Sequence, residues 1–191
     1  PKADLARLTH LSTQTVSLIV NRLLDDGLVV KREPLRGRIG QPSVPIALNP
    51  EGAWSIGVTI GRQRLDLLLM DFVGTVRERD AWHYDFPDPD LLFDELGRRL
   101  TAMAQRLGPE GAARLTGLGV AAPQSLGGWQ ALLGVPAQPA RRWNEIDLAE
   151  RLRAVSDLPV HLVKDTAAAC VAELVAGRGR QHESWLYLFM D

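Results

Sequence analysis

SIGVTIGRQRLDLLLMDFVGTV, residues 55–76, holds two strand-forming runs with one short interruption. Ser55–Ile60 and Leu65–Met70 are rich in Val, Ile and Leu, and Gly61 closes the first run. Gly74 closes the second, and Val76–Tyr84 reads as a third strand. Strands joined by short glycine-bearing turns form a meander. Downstream the rhythm changes. Leu91–Leu107 reads as a helix, and Leu115–Ala122 as a strand whose apolar character predicts burial on both faces. Leu148–Val155 reads as a helix, Val160–Val163 as a strand, Thr166–Ala176 as a helix and Trp185–Met190 as a strand. Strands alternating with helices after a meander predict an α/β domain.

Upstream of this block the pattern is helical. Ala3–Thr9 reads as a short helix with Leu5, Ala6 and Leu8 inward. His10-Leu11 reads as a turn. Histidine tolerates positive φ better than most residues, so it can stand where glycine is usual. Ser12 is a good N-cap for a second helix, since its hydroxyl accepts from the free N–H groups of the first turn. Val16, Ile19, Val20, Leu23 and Leu24 recur at helical spacing as an amphipathic stripe, and Gly27 stops the helix. Ala6 is small where the helices would cross, Leu11 would plug the turn, and Val16 and Ile19 would hold the pair together. Leu28–Glu33 and Val44–Leu48 read as two strands around Arg36-Gly37-Arg38-Ile39-Gly40-Gln41-Pro42, and Asn49–Gly52 as a linker. The expected division is therefore residues 1–50 and 51–191.

This pattern predicts a winged helix-turn-helix that binds double-stranded DNA. The outward face of the second helix carries Thr13, Gln14, Thr15, Ser17 and Asn21 beside Ser12. Gln and Asn can pair bidentately with adenine in the major groove. Arg36 and Arg38 at the hairpin tip would reach phosphates or a minor groove. The plainer reading is a helical pair with a solvated polar face.

Charge and composition agree with two unlike parts. The 191 residues are 46% apolar and 24% charged, as in an ordinary globular protein, with a net charge of −1. Residues 1–50 carry seven basic and four acidic side chains, a charge of +3. The remainder carries 15 basic and 19 acidic, a charge of −4. A basic head on an acidic body suits one half that meets a polyanion. No apolar run has the roughly 18–20 residues of a membrane helix. The single cysteine, Cys170, excludes an internal disulfide and a Cys-rich zinc site within this stretch, which makes a cytoplasmic location the default. His83, His161 and His182 have no partners at metal-ligand spacing, and His161 reads as structural in an apolar strand.

Taken in order, ADLARLTHLSTQTVSLIVNRLLDDGLV (3–29), RGRIGQP (36–42), SIGVTIGRQRLDLLLMDFVGTV (55–76), GLGVAAP (117–123), the stretch 143–148 and LPVHLVKDTAAACVAELVAG (158–177) resemble the ROK family (repressor, open reading frame, kinase). The resemblance implies a winged helix-turn-helix joined to a sugar-kinase-like lobe of the actin/hexokinase (ribonuclease H-like) ATPase fold. In the family kinases the first strand ends in a loop of the type Asp-x-Gly-Gly-Thr, where glycine lets backbone N–H groups reach phosphate. The matching Thr59-Ile60-Gly61-Arg62-Gln63 lacks the acid, one glycine and the threonine. This argues against a working ATP site. The family's Asn-Asp pair, whose Asp is the general base of sugar phosphorylation, is Lys164-Asp165 here. Asp165 is also a natural N-cap for the helix that follows. Lys164 would favour the ionised carboxylate, fill the pocket as a salt bridge, or favour an acidic effector. Pro123 and Gln124 match the turn beneath the sugar, where Gln124 replaces the usual glycine. Gln138 matches a loosely placed sugar-contacting position and reads equally as a loop residue.

The resemblance further implies a fragment. A first winged-helix helix would precede Pro1, and a second phosphate loop, a Cys/His motif for structural zinc, a sugar-binding Glu and a second lobe would follow Asp191. No cofactor is implied within the stretch itself. The leading expectation is a sugar- or sugar-phosphate-responsive DNA-binding regulator, a repressor acting as a homodimer or homotetramer. The alternative is an ATP-dependent sugar kinase carrying a DNA-binding head, and a third is a relic that binds neither ligand.

Overall fold

A computed structural model describes residues 2–34, 44–129, 134 and 137–188. The chain opens with helices α1 (Lys2–Thr9) and α2 (Thr13–Asp25). Between them His10 takes φ 56°, the left-handed conformation the turn requires. Ser12 caps α2, its Oγ accepting from the Thr15 N–H at 3.1 Å. Gly27, at φ 73°, follows the helix end, which turns the chain into β1 (Val29–Lys31). β1 pairs antiparallel with β2 (Ile46–Leu48), with Val29 opposite Leu48.

Ala6, Val16 and Val20 form the buried centre of the helix pair, with Leu5, Leu24 and Ile46 packed around it. Three residues depart from the sequence expectation. Leu8, Leu11 and Ile19 are 75%, 43% and 45% exposed instead of inward. Two packed helices share one interface, and the far side of each meets no further element among the described residues.

The larger part of the chain is built on one mixed sheet in the order β5-β4-β3-β6-β7. β3 (Trp54–Ile60), β4 (Arg64–Asp71) and β5 (Val76–His83) form the antiparallel meander. β6 (Leu115–Ala122) lies parallel to β3, and β7 (Val160–Lys164) parallel to β6. Helices α3 (Pro89–Arg106), α4 (Gly108–Ala112), α5 (Ala137–Asn144), α6 (Leu148–Val155) and α7 (Asp165–Ala176) complete the described helices. Strands and helices alternate as the sequence predicts from β3 to α7, with α4 and α5 in addition.

One face of the sheet is packed. Ile56, Val58, Leu65, Leu67, Leu118 and Val120 meet Leu92, Phe93, Leu96, Leu100 and Met103 of α3 and Leu152 of α6. The other face is open, so the expectation of two buried faces for β6 does not hold. Leu118, Val120 and Ala122 are buried while Thr116 and Gly119 are exposed. Among the described residues, α7 approaches the open face, and with small residues, Ala168, Ala169 and Ala172. His161, expected to be structural, is exposed on this side, opposite Gly119. The expected strand Trp185–Met190 is also absent over its described part. Trp185–Leu188 pairs with no strand, and the Trp185 ring instead stacks edge-on with Tyr187 at 6.1 Å. A strand exists only through its ladder, and β7, the sheet edge, is not met by this segment.

Candidate functional site

β3, β6 and β7 run parallel, so their carboxyl ends reach the same sheet edge. Ligands of open α/β sheets bind beyond such ends. A cleft of about 890 Å³ lies here between the open sheet face and α7. Its floor is paired small residues, Gly57 beside Gly119 and Thr59 beside Ala121. Its far wall is Ala168, Ala169 and Ala172 of α7, with Asp165 at the end. Gly61, Arg62, Gln63 and Asp66 form the rim.

The β3–β4 loop at this rim is tied down. The Gly61 N–H donates to the Arg64 carbonyl at 2.8 Å, and the Tyr84 N–H to the Gln63 carbonyl at 3.0 Å. The Tyr84 hydroxyl donates to the Gly61 carbonyl at 2.8 Å. Burial, and behind it the Asp66 carboxylate, push the Tyr84 phenol well above its ordinary range, so it stays a donor. Arg64 Nε reaches Asp66 at 2.7 Å. The sequence reading passed over Tyr84. Its position at the end of the third strand, where a meander returns beside the first turn, was the available signal.

The structure brings Asp165, Thr59, Gly61, Arg62 and Gln63 together around this cleft. Asp165 is half-buried and lies in the first turn of α7, one residue inside the helix. The cap position falls instead on Lys164, which makes no side-chain cap bond. The Asp165 carboxylate accepts from the adjacent Thr166 N–H at 2.6 Å. Lys164 is exposed and forms no salt bridge with Asp165 among the described residues, so the pocket-filling ion pair is not seen. Pro123 and Gln124 follow Ala122, which pairs with Lys164, but they do not line the cleft, and Gln124 is exposed. Gln138 is on α5, with its side chain outside the described residues. No cluster of three or more His, Cys, Asp or Glu poised for a metal occurs among the described residues.

On the head, Thr13 and Gln14 are exposed at the start of α2. Ser12 and Thr15 are exposed too, but their hydroxyls bond each other at 2.8 Å. Ser17 is half-buried. Asn21 is exposed, and its Oδ1 accepts from Lys2 Nζ at 2.9 Å. Arg36 and Arg38 lie outside the described residues. No described helix is long and apolar enough to cross a membrane.

The chain is thus an α/β fold on a mixed five-stranded sheet, with a cleft at the carboxyl ends of its parallel strands. The ROK family model matches residues 55–191, and the chain belongs to that family. It is 26% identical over 191 residues to a protein of Bacillus subtilis named xylose repressor, covering 98% of this chain and 48% of that one. It is 30% identical over 183 residues to a Mycobacterium tuberculosis protein named as a transcriptional regulator, covering 92% of this chain and 39% of that one. Its fold matches a solved ROK family transcriptional regulator, described as a homologue of the E. coli MLC protein, with a TM-score of 0.62 at 22% identity. That match covers 95% of this chain and 46% of the other. The chain spans about half the length of the curated xylose repressors it matches.

Proposed function

We propose that this chain is the DNA-reading and effector-sensing portion of a sugar-responsive transcriptional regulator, a repressor of carbohydrate genes. Residues 1–50 act as a winged helix-turn-helix, and residues 51–191 as the first lobe of an actin/hexokinase-like sensing body. Thr13, Gln14 and Asn21 face base edges in the major groove. Ser12, Thr15 and Ser17 fix and flank the start of that helix beside the phosphates, and Arg36 and Arg38 meet the backbone. Asp165 and Lys164 meet the effector, with Pro123, Gln124 and Gln138 as further contacts of the same effector.

The single observation that carries this reading is the combination of α2's exposed polar face with a ROK body whose β3–β4 loop holds Arg62 and Gln63. An arginine side chain occupies ground that a nucleotide phosphate needs open. Relatives named as xylose repressors favour a neutral sugar as effector. Arg62 on the rim and the exposed Lys164 favour an anionic one. The regulator works as a homodimer or homotetramer in the cytoplasm, since such heads read half-sites about 34–36 Å apart.

The test is a gel shift on duplexes that the full-length protein selects from a random pool, titrated with D-xylose, D-glucose and glucose 6-phosphate. Selection of a defined duplex, release by one of these sugars, and loss of binding in Arg36→Ala/Arg38→Ala are expected. Failure to enrich any duplex overturns the reading. A second reading, a sugar kinase with a DNA-binding head, is favoured by one observation: Asp165 stands in the cleft at the end of β7. ATP-dependent sugar phosphorylation above about 1 s⁻¹, the low end for kinases, would establish it.

A further inference from the structure

Arg114 lies just before β6, at the opposite end of that strand from the cleft. Its Nη1 donates to the Asp26 carbonyl at 3.1 Å and to the Gly52 carbonyl at 3.0 Å. Asp26 ends α2, and Gly52 ends the turn that leads into β3. Its own carbonyl accepts from the Trp54 N–H at 2.9 Å. The guanidinium therefore joins the end of the helix pair to the connecting turn, and the backbone of the same residue bonds the start of β3.

The neighbours are fitted to it. Asn49 Nδ2 donates to the Gly27 carbonyl at 2.7 Å, and its backbone N–H to the Leu28 carbonyl at 3.0 Å. A Cβ on Gly27 would stand 2.7 Å from Arg114 Nη2. A Cβ on Gly52 would stand 3.0 Å from the Gly27 oxygen and 3.1 Å from Leu28 Cα. The Phe72 N–H donates to the Pro50 carbonyl at 3.0 Å, which anchors the same turn to the β4–β5 corner.

We infer that Arg114 is the positioning residue that fixes the N-terminal helix pair on the sheet, and that β6 links this joint to the cleft. β6 has eight residues, so it spans about 26 Å at roughly 3.3 Å per residue. Its far end, Ala121 and Ala122, pairs with Val163 and Lys164 beside Asp165. A ligand that shifts the carboxyl ends of β6 and β7 therefore acts on a paired strand whose other end holds the helix pair. The link to ligand rests on the function proposed above, whereas the joint itself does not.

The experiment compares the full-length protein with Arg114→Met, which keeps the apolar stem but removes the donors, and with Arg114→Lys. Hydrogen exchange without DNA or sugar reads the joint. In Arg114→Met the amides of Leu28, Asn49 and Gly52 are expected to exchange at least about ten-fold faster, those of the β3–β4 pair are not, and Arg114→Lys is intermediate. Affinity for the selected duplex, with and without the sugar that releases wild type, reads the link. The sugar's fold-effect on DNA affinity is expected to fall to about a third or less while sugar affinity stays within about two-fold. Unchanged exchange in Arg114→Met overturns the joint. Faster exchange with an undiminished sugar effect overturns the link. If wild type selects no duplex or answers no sugar, the functional reading fails and the link falls with it. Exchange alone then decides whether Arg114 fixes the helix pair.

Discussion

The two faces of the same two strands differ more than any two separate regions of the molecule. On one face β3 and β6 send Ile56, Val58, Leu118 and Val120 into α3 and α6. On the other they show Gly57, Thr59, Gly119 and Ala121 to a cleft of about 890 Å³. Side-chain bulk on the first face excludes water and stabilises the fold. On the second its absence leaves room. The parallel strands are thus half core and half floor, and substitutions on the two sides should fail in different ways.

The largest effect belongs to the packed face. Leu96 of α3 is fully buried among the sheet residues. Leu96→Ala removes buried methyl groups and leaves a cavity, so unfolding free energy should fall by about 3 kcal/mol, within the usual 2–5. Urea denaturation measures it. A loss below about 1 kcal/mol would mean that this face repacks freely and that the contrast between the faces is overstated.

Asp71, at the corner between β4 and β5, sharpens the contrast by showing how the fold treats a buried charge. Oδ1 accepts from the Val73 and Thr75 N–H groups at 3.0 and 2.8 Å, and Oδ2 from Arg77 Nε at 2.6 Å. Burial raises the carboxyl's pKa, but Arg77 and the two amides outweigh it, and the group is held below its ordinary value of 3.8. A lowered folded-state pKa contributes stability above the unfolded value that is lost as pH falls through the folded one. Asp71→Asn should therefore be destabilised at pH 7, and its deficit relative to wild type should shrink once the pH drops below 3.8. A deficit independent of pH between 7 and 3 would show that the carboxylate's ionisation does not contribute to holding the corner.

Much of this was legible in the residues themselves. His10 stands where a turn needs positive φ, Ser12 where a helix needs a cap, and Gly61 and Gly74 separate the three runs of the meander. Local preference acts within a few residues, and those signals are local. What lay beyond reach depended on what packs across. Leu8, Leu11 and Ile19 read as inward because an apolar side chain does not reveal whether a partner exists. Leu115–Ala122 read as doubly buried because its open face is made of glycine and alanine, which count as apolar and as empty alike. Asp165 was singled out by its match to the family's Asn-Asp pair, yet Tyr84 and Arg114 were not found, since their partners are backbone carbonyls 23 to 88 residues away.

Between the extremes lies Trp143 on α5, which packs beneath the packed face at its edge. Its Nε1–H donates to the Pro87 carbonyl at 2.5 Å, and its ring meets Phe93 at 5.9 Å between centroids. Trp143→Phe keeps the aromatic contact and loses the donor, leaving one buried carbonyl unpaired. About 1 kcal/mol of stability should be lost, read as a lower urea midpoint at unchanged slope. No loss would mean that water reaches Pro87 and that α5 is held by its ring alone.

The smallest effect on stability, and the most telling, is expected at Gly119. A Cβ placed there meets no atom within 4 Å, and the residue lies opposite Gly57 on the cleft floor. Gly119→Val adds a β-branched side chain that suits a strand, on a Cβ that pushes nothing aside. Unfolding free energy should stay within about 0.5 kcal/mol of wild type, as for substitutions that make no clash. The added isopropyl group nevertheless stands in the cleft, so binding of the sugar that releases wild-type protein from DNA should be lost, as isothermal titration calorimetry would measure. A folded, equally stable Gly119→Val protein that still binds the sugar would place the effector elsewhere. The open face would then be the contact surface for another part of the protein and no ligand floor at all.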